Sequence, residues 1–206
     1  MDFELKSCYN FGDLVRIISL LRQPGGCPWD AEQTHESIKK NLIEETYEVI
    51  EAINKKDTGL LLEELGDLLM QVVMHAQFEA EKSSFSIEDV CDGICKKLII
   101  RHPHVFGELK ADNTAQALGN WEKIKMQTKG YKTVSESINS VPKELPALMR
   151  ATKIQKKAAD IGFDWDSVEG AYSKISEEVE ELKEAALTGD KQRTADELGD
   201  VLFSVV

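Results

Sequence analysis

The chain has 206 residues, 42% of them hydrophobic and 30% charged, with a net charge of −12. That balance fits a soluble globular protein of one large or two small domains, and an acidic excess with no long basic stripe argues against a nucleic-acid backbone as partner. No run reaches the ~18 apolar residues of a membrane span and residues 1–9 lack the apolar core of a signal peptide, so the simplest location is the cytoplasm.

Leu14, Ile17, Ile18 and Leu21 recur at helical spacing and predict a helix over 13–21, stopped by Gln23-Pro24-Gly25-Gly26. Cys27-Pro28-Trp29-Asp30 reads as a compact loop. A helix is expected from Thr34 to Asn54, with Thr34 and Ser37 as candidate caps and Ile38, Leu42 and Val49 as apolar positions. After the turn Asp57-Thr58-Gly59 the next helix covers 60–78, and Ser86 caps another to Ile100. Arg101-His102-Pro103-His104-Val105-Phe106 closes a first unit, residues 1–108. Residues 109–146 form a connection: a helix over 115–128 containing Trp121, then a Ser- and Pro-rich linker over 130–146. The second unit, 147–206, opens with a basic amphipathic helix over 148–161. Gly162-Phe163-Asp164-Trp165-Asp166 then places Trp-Asp ahead of an acidic helix, as Pro28-Trp29-Asp30 does in the first unit. For both tryptophans helix packing is favoured over stacking on a base. No stretch alternates with period two, so the expected class is all-α.

The two units share an acidic pattern. Glu44-Glu45-Thr46-Tyr47-Glu48 is followed by Glu64-Leu65-Gly66-Asp67, and Glu177-Glu178-Val179-Glu180-Glu181 by Glu197-Leu198-Gly199-Asp200. The interval from Glu48 to Glu64 equals that from Glu181 to Glu197, so one constant offset carries every acid of the first pattern onto its counterpart in the second. Residues three and four apart share a helix face. At about 100° per residue Glu45 borders the apolar stripe of Leu42, Thr46, Val49, Ile50 and Ile53, and Glu64 borders that of Leu61, Leu65, Leu68, Leu69 and Val72, with Asp67 one turn along. An antiparallel hairpin through 55–59 then brings four carboxylates together. Such a cluster takes up protons unless a cation stands among them, and oxygen-only ligands suit Mg²⁺ or Mn²⁺ better than zinc. A mid-helix glycine costs about 1 kcal/mol relative to Ala, so Gly66 and Gly199 call for a compensation: a close helix approach, or room for a ligand beside the acids.

The remaining candidates are weaker. Cys91 and Cys95, spaced i, i+4 among four cysteines, read as helical packing rather than a metal or redox site. His102 and His104 flank Pro103 and are expected to anchor that loop rather than ligate metal. After Asp200 only Val201 to Val206 follows, where the first unit runs on for a further helix and Arg101 to Phe106, so the second unit is read as incomplete.

Together with Gly26-Cys27-Pro28-Trp29-Asp30, Arg101-His102-Pro103-His104-Val105-Phe106, Leu145-Pro146-Ala147-Leu148 and Gly162-Phe163-Asp164-Trp165, the paired acidic motifs resemble the MazG family of nucleoside triphosphate pyrophosphohydrolases in its tandem two-domain form, over nearly the whole chain. The resemblance implies paired all-α helical bundles in a homodimer and a Mg²⁺-dependent site that hydrolyses a nucleoside triphosphate to monophosphate and pyrophosphate. It implies metal ligands at Glu45, Glu48, Glu64 and Asp67 and at Glu178, Glu181, Glu197 and Asp200, and nucleotide binding at Lys174. The first unit has Asn41 at the place of Lys174, a departure from the pattern; in tandem members activity is associated chiefly with the second domain. A triphosphate brings about four negative charges to four acids, which a bridging Mg²⁺ offsets while acidifying a water for attack at the α-phosphorus. The base is that acidified water or an outer carboxylate, Glu44 or Glu177. Lys97 and Arg101, spaced i, i+4, are candidates to meet the polyphosphate, with a solvated helix end as the alternative. Rival readings are a non-catalytic dimerisation or regulatory module, or a relative specialised for dUTP, dCTP or phosphoribosyl-ATP.

Overall fold

The computed structural model describes residues 3–130 and 133–206, with the backbone alone for Lys129. The N-terminal stretch 1–9 and the linker 130–146 therefore lie partly outside the described residues. The elements are α1 (Phe11–Arg22), α2 (Pro28–Glu32), α3 (Lys39–Lys55), α4 (Thr58–Glu81), α5 (Ile87–Arg101), α6 (Pro103–Phe106), α7 (Thr114–Lys129), α8 (Val134–Asn139), α9 (Ala147–Ala159), α10 (Val168–Thr188) and α11 (Lys191–Ser204). No strand occurs among the described residues, and the chain is all-α. It divides into two compact units, Met1–Leu118 and Gly119–Val206. Among the described residues no helix is long and apolar enough to cross a membrane.

The helix starts follow from short polar side chains that take up orphan backbone N–H groups. Asn10 and Asp13 form a reciprocal capping box on α1, and Ser86 and Asp89 form another on α5. The turn between the two acidic helices is built the same way in each unit. Asp57 accepts from the N–H groups of Gly59 and Leu60, both at 3.0 Å. Asp190 accepts from those of Gln192 and Arg193, at 3.0 and 3.1 Å. The residue ahead of each cap adopts the left-handed conformation, Lys56 with φ 56° and Gly189 with φ 73°.

In the first unit Ile18 of α1, Ile38, Val73, Met74, Ala76 and Phe78 of α4 and Ile87 of α5 form the core. Arg22 fastens its edge: the guanidinium lies 4.3 Å from the Phe78 ring centroid, pairs with Glu81 at 2.7 and 2.9 Å, and donates to the carbonyls of Asp30 and Gln33. In the second unit α10 packs along α11, and Gln155 of α9 donates to the carbonyl of Phe203 on α11 at 2.5 Å.

Several boundaries and faces differ from expectation. The acidic helix starts at Lys39, because Thr34 and Ser37 spend their polar groups on a reciprocal turn (Thr34 N to Ser37 Oγ 2.9 Å, Ser37 N to Thr34 Oγ1 3.2 Å) rather than on a helix end. Pro28 starts a short helix where a loop was expected, and the stretch expected as linker holds α8, capped by Thr133. Trp29 and Trp165 both stand exposed; the Trp165 ring lies against Gly170, where a Cβ would come within 2.8 Å of it. The stripe predicted to be buried on α4 also shifts. Gln71, Val73, Met74, Ala76 and Phe78 are buried, while Leu65, Leu69 and Val72 are exposed, as are Ile50 and Ile53 on α3. α4 is apolar nearly all round through its middle, and within one chain only one side of it is covered.

Candidate metal centre

α3 and α4 run antiparallel through the Lys56–Asp57 turn, so Glu45 and Glu48 on the first helix come opposite Glu64 and Asp67 on the second. Carboxylate oxygens of Glu45, Glu48 and Glu64 lie within 4.8 Å of one another. Burial pushes the Glu45 carboxyl above the usual carboxylate range, and the charges of Asp67, Glu48 and Glu64 push it further. Glu64 is raised by burial and then by Glu48, Glu63 and Asp67. Asp67, half-buried, stands outside the tight three but acts on both of these groups electrostatically.

The second unit repeats the arrangement with a different three. Oxygens of Glu178, Glu197 and Asp200 lie within 4.8 Å of one another, Glu178 being buried on α10. Glu181 is outside that set and exposed; its carboxyl is raised by partial desolvation first and then by Glu178, Glu197 and Glu177. Between them the two sites use all four motif positions.

The sites differ in their cations. Lys174 reaches Glu178 at 2.7 Å and Glu177 at 3.0 Å, and these two contacts hold its ammonium above the ordinary lysine range. Arg193 lies 3.8 Å from Glu197. The matching positions of the first repeat are Asn41 and Leu60, which carry no charge. The second site thus has two cations touching its acids, and its first-unit counterpart has neutral side chains in both places. Arg193 escaped the sequence reading, although its i, i+4 spacing to Glu197 was the signal that exposes it.

Of the other expected residues, Glu44 is exposed on α3 and is not among the gathered three, while Glu177 is exposed and tied to Lys174. Lys97 is exposed and Arg101 half-buried, one turn apart on α5. His102 Nδ1 donates to the Leu98 carbonyl at 2.7 Å, and Cys91 and Cys95 are free and exposed; neither His102, His104 nor these cysteines belongs to a metal-ready group among the described residues. A Cβ at Gly66 or Gly199 would meet nothing within 4 Å, so neither glycine serves a close helix approach inside a unit. The space beside the acids stays open.

Three carboxylates with mutually close oxygens, two of them raised above the usual range in the first unit, make a donor set for a hard divalent cation, since only a cation relieves the repulsion without protonation. All of the gathered donors are oxygens, and soft or nitrogen-rich coordination does not fit them.

Comparison with known proteins places these helices. Residues 33–106 match the MazG nucleotide pyrophosphohydrolase domain, and residues 143–206 match phosphoribosyl-ATP pyrophosphohydrolase. The chain is 50% identical over 196 residues to the nucleoside triphosphate pyrophosphohydrolase/pyrophosphatase MazG of Thermotoga maritima, covering 95% of this chain and 74% of that protein. It is 43% identical to the nucleoside triphosphate pyrophosphohydrolase of Escherichia coli, covering 94% of this chain and 74% of that one. The corresponding protein of Mycobacterium tuberculosis is 38% identical over 153 residues, 73% of this chain and 45% of its own length.

Proposed function

The chain belongs to the MazG family of nucleoside triphosphate pyrophosphohydrolases, and from that premise we propose that it hydrolyses nucleoside triphosphates to monophosphate and pyrophosphate, with Mg²⁺ held by its clustered carboxylates and water attacking the α-phosphorus. The observation that carries this reading is the duplicated triad: Glu45, Glu48 and Glu64 in one unit, and Glu178, Glu197 and Asp200 in the other, each with oxygens within 4.8 Å.

In this reading Glu45, Glu48, Glu64 and Asp67 hold the ion in the first unit, and Glu178, Glu181, Glu197 and Asp200 in the second. A bound divalent cation supplies charge compensation for the triphosphate and lowers the pKa of a water in its shell. Glu44 and Glu177 stand next to the ligands on the exposed side of their helices, placed to accept a proton from an attacking water. Lys174 is the cation of the second site that meets phosphate, released from Glu177 and Glu178 as the substrate's charge replaces theirs. Lys97 and Arg101 offer a further cationic pair to the polyphosphate of the first unit. The match of residues 143–206 to phosphoribosyl-ATP pyrophosphohydrolase favours a second reading, a specialised relative acting on that nucleotide.

We also propose a homodimer. Ile43, Tyr47 and Ile50 on α3, Leu62, Leu65, Leu69 and Val72 on α4 and Val90, Ile94 and Leu98 on α5 are exposed at helical spacing. An apolar surface of this extent on paired helices supports burial against a second copy.

The experiment is pyrophosphate release from a panel of nucleoside triphosphates and phosphoribosyl-ATP, with Mg²⁺. Wild type is expected to release it, and EDTA to abolish release. Glu48→Gln and Glu181→Gln each remove the contribution of one unit, and together they lower turnover by about 100-fold or more. Full turnover in the double variant sinks the assignment. Release from phosphoribosyl-ATP alone selects the specialised reading.

A further inference from the structure

His35, in the turn before α3, and His75, two turns beyond Asp67 on α4, form a chain with Glu79. The two Nδ1 atoms are 2.7 Å apart, and His35 Nε2 lies 2.8 Å from the Glu79 carboxylate. The rings stack at 5.0 Å and both lie T-shaped to Phe78. Two buried atoms of α4 have no hydrogen-bond partner: His75 Nε2 and, one turn earlier, Oε1 of the buried Gln71.

Counting protons over the four ring nitrogens fixes their places. Glu79 is held down to about 2 by Lys82, by His35 and by Ser84, so it is ionised and accepts from a proton on His35 Nε2. Two bare lone pairs cannot face each other at hydrogen-bonding distance, so a second proton lies between the Nδ1 atoms. The neutral pair has only these two, which leaves His75 Nε2 bare one helical turn from another bare acceptor, Gln71 Oε1. A third proton cannot enter the gap between the Nδ1 atoms, where two N–H groups would collide. It goes to His75 Nε2, whichever ring formally carries the charge.

We infer that His35, His75 and Glu79 form a one-proton clasp at the end of the α3–α4 hairpin away from its turn, in which the added proton appears on His75 Nε2 and is offered to Gln71. The turn fastens one end of the two acid-bearing helices and this chain fastens the other; proton uptake adds one hydrogen bond within α4 and makes the His35–Glu79 contact an ion pair. Burial and the neighbouring ring's charge hold His75 below the ordinary histidine range, so the uptake falls on the acid side of that range. The charged groups around the clasp are already engaged. Lys82 sits on Glu79 at 2.7 Å, Arg22 of α1 pairs with Glu81, Lys39 of α3 pairs with Glu36 at 2.5 Å, and Asp89 of α5 accepts from Ser86.

The test uses the full chain labelled with ¹⁵N at histidine, with metal removed, and follows ring-nitrogen shifts with pH. In the alkaline state His75 is expected as the Nδ1–H tautomer. On acidification both rings should move in one shared transition that ends with His75 Nε2 protonated. Independent single-site curves, or a His75 Nε2–H tautomer at alkaline pH, overturn the inference. Amide exchange around Gln71 and His75 on α4, corrected for its intrinsic pH dependence, should slow by about two- to tenfold across that transition, the worth of one hydrogen bond. Gln71→Leu should remove this slowing and Glu79→Gln should split the shared transition; an unchanged slowing in Gln71→Leu contradicts the part given to Gln71.

Discussion

Single residues account for most of the difference between the two repeats. Glu45 and Glu178 occupy equivalent places on equivalent helices, yet Glu178 is met by Lys174 at 2.7 Å, whereas Asn41 stands where Lys174 would be. The first site therefore keeps its repulsion, expressed in the raised Glu45 and Glu64 carboxyls, while the second offsets part of it internally. The same logic of matched positions identifies a weak point at Lys56, which holds the left-handed conformation that Gly189 holds in the second unit. An L side chain there costs more than glycine. Lys56→Gly is expected to stabilise the first unit by about 0.5–1 kcal/mol, read as a shift of the urea midpoint. The repeated acids were legible in the sequence because their spacing is local to two helices. The partnership of His35 with His75 was not, since the two are far apart along the chain and only the packing of the turn before α3 onto α4 brings the rings together.

Among elements, the antiparallel pair of acidic helices is the unit that the chain repeats, and its construction is local. An aspartate cap, a left-handed residue before it and a matched interval between the acidic motifs suffice to set the carboxylates opposite one another. The aspartate caps and the left-handed residues ahead of them emerge only from the structure; the matched interval and the turn at 57–59 were legible. Less so was the start of α3: Thr34 and Ser37 are good caps by type, but they close a turn of their own, and the helix begins only at Lys39. The helix pair also predicts a pH dependence. Glu45, Glu64 and Glu181 bind protons more tightly in the folded chain than in the unfolded one. Their contribution to stability is thus full below the ordinary carboxylate range and lost as pH rises through their elevated values. Without metal the melting temperature is expected to carry a penalty at neutral pH that is absent at about pH 4, and added Mg²⁺ should relieve it at neutral pH only. Calorimetry with and without Mg²⁺ at the two pH values checks this. An equal Mg²⁺ effect at both counts against the cluster as the binding site.

On the scale of the whole molecule, the apolar residues of α3, α4 and α5 divide into a set covered within the unit and a set left open. The sequence pattern showed that Leu65, Leu69 and Val72 belong to an apolar stripe, but not whether that stripe faces its own chain or another copy, because α4 is apolar on more than one side. The proposed dimer assigns it to a second copy. Sedimentation equilibrium should then return a dimer mass, and Leu65→Glu together with Ile94→Glu should give monomers; dimers that persist in that variant place the interface elsewhere.

The central claim is that the gathered carboxylates hold a divalent ion, and titration of the full chain with Mn²⁺ followed by electron paramagnetic resonance tests it directly. The account predicts saturable Mn²⁺ binding that is reduced when Glu45 and Glu64 are changed to Gln, reduced separately when Glu178 and Glu197 are changed, and lost when all four are. Binding of undiminished strength in the fourfold variant, or no saturable binding to the wild-type chain, would contradict it.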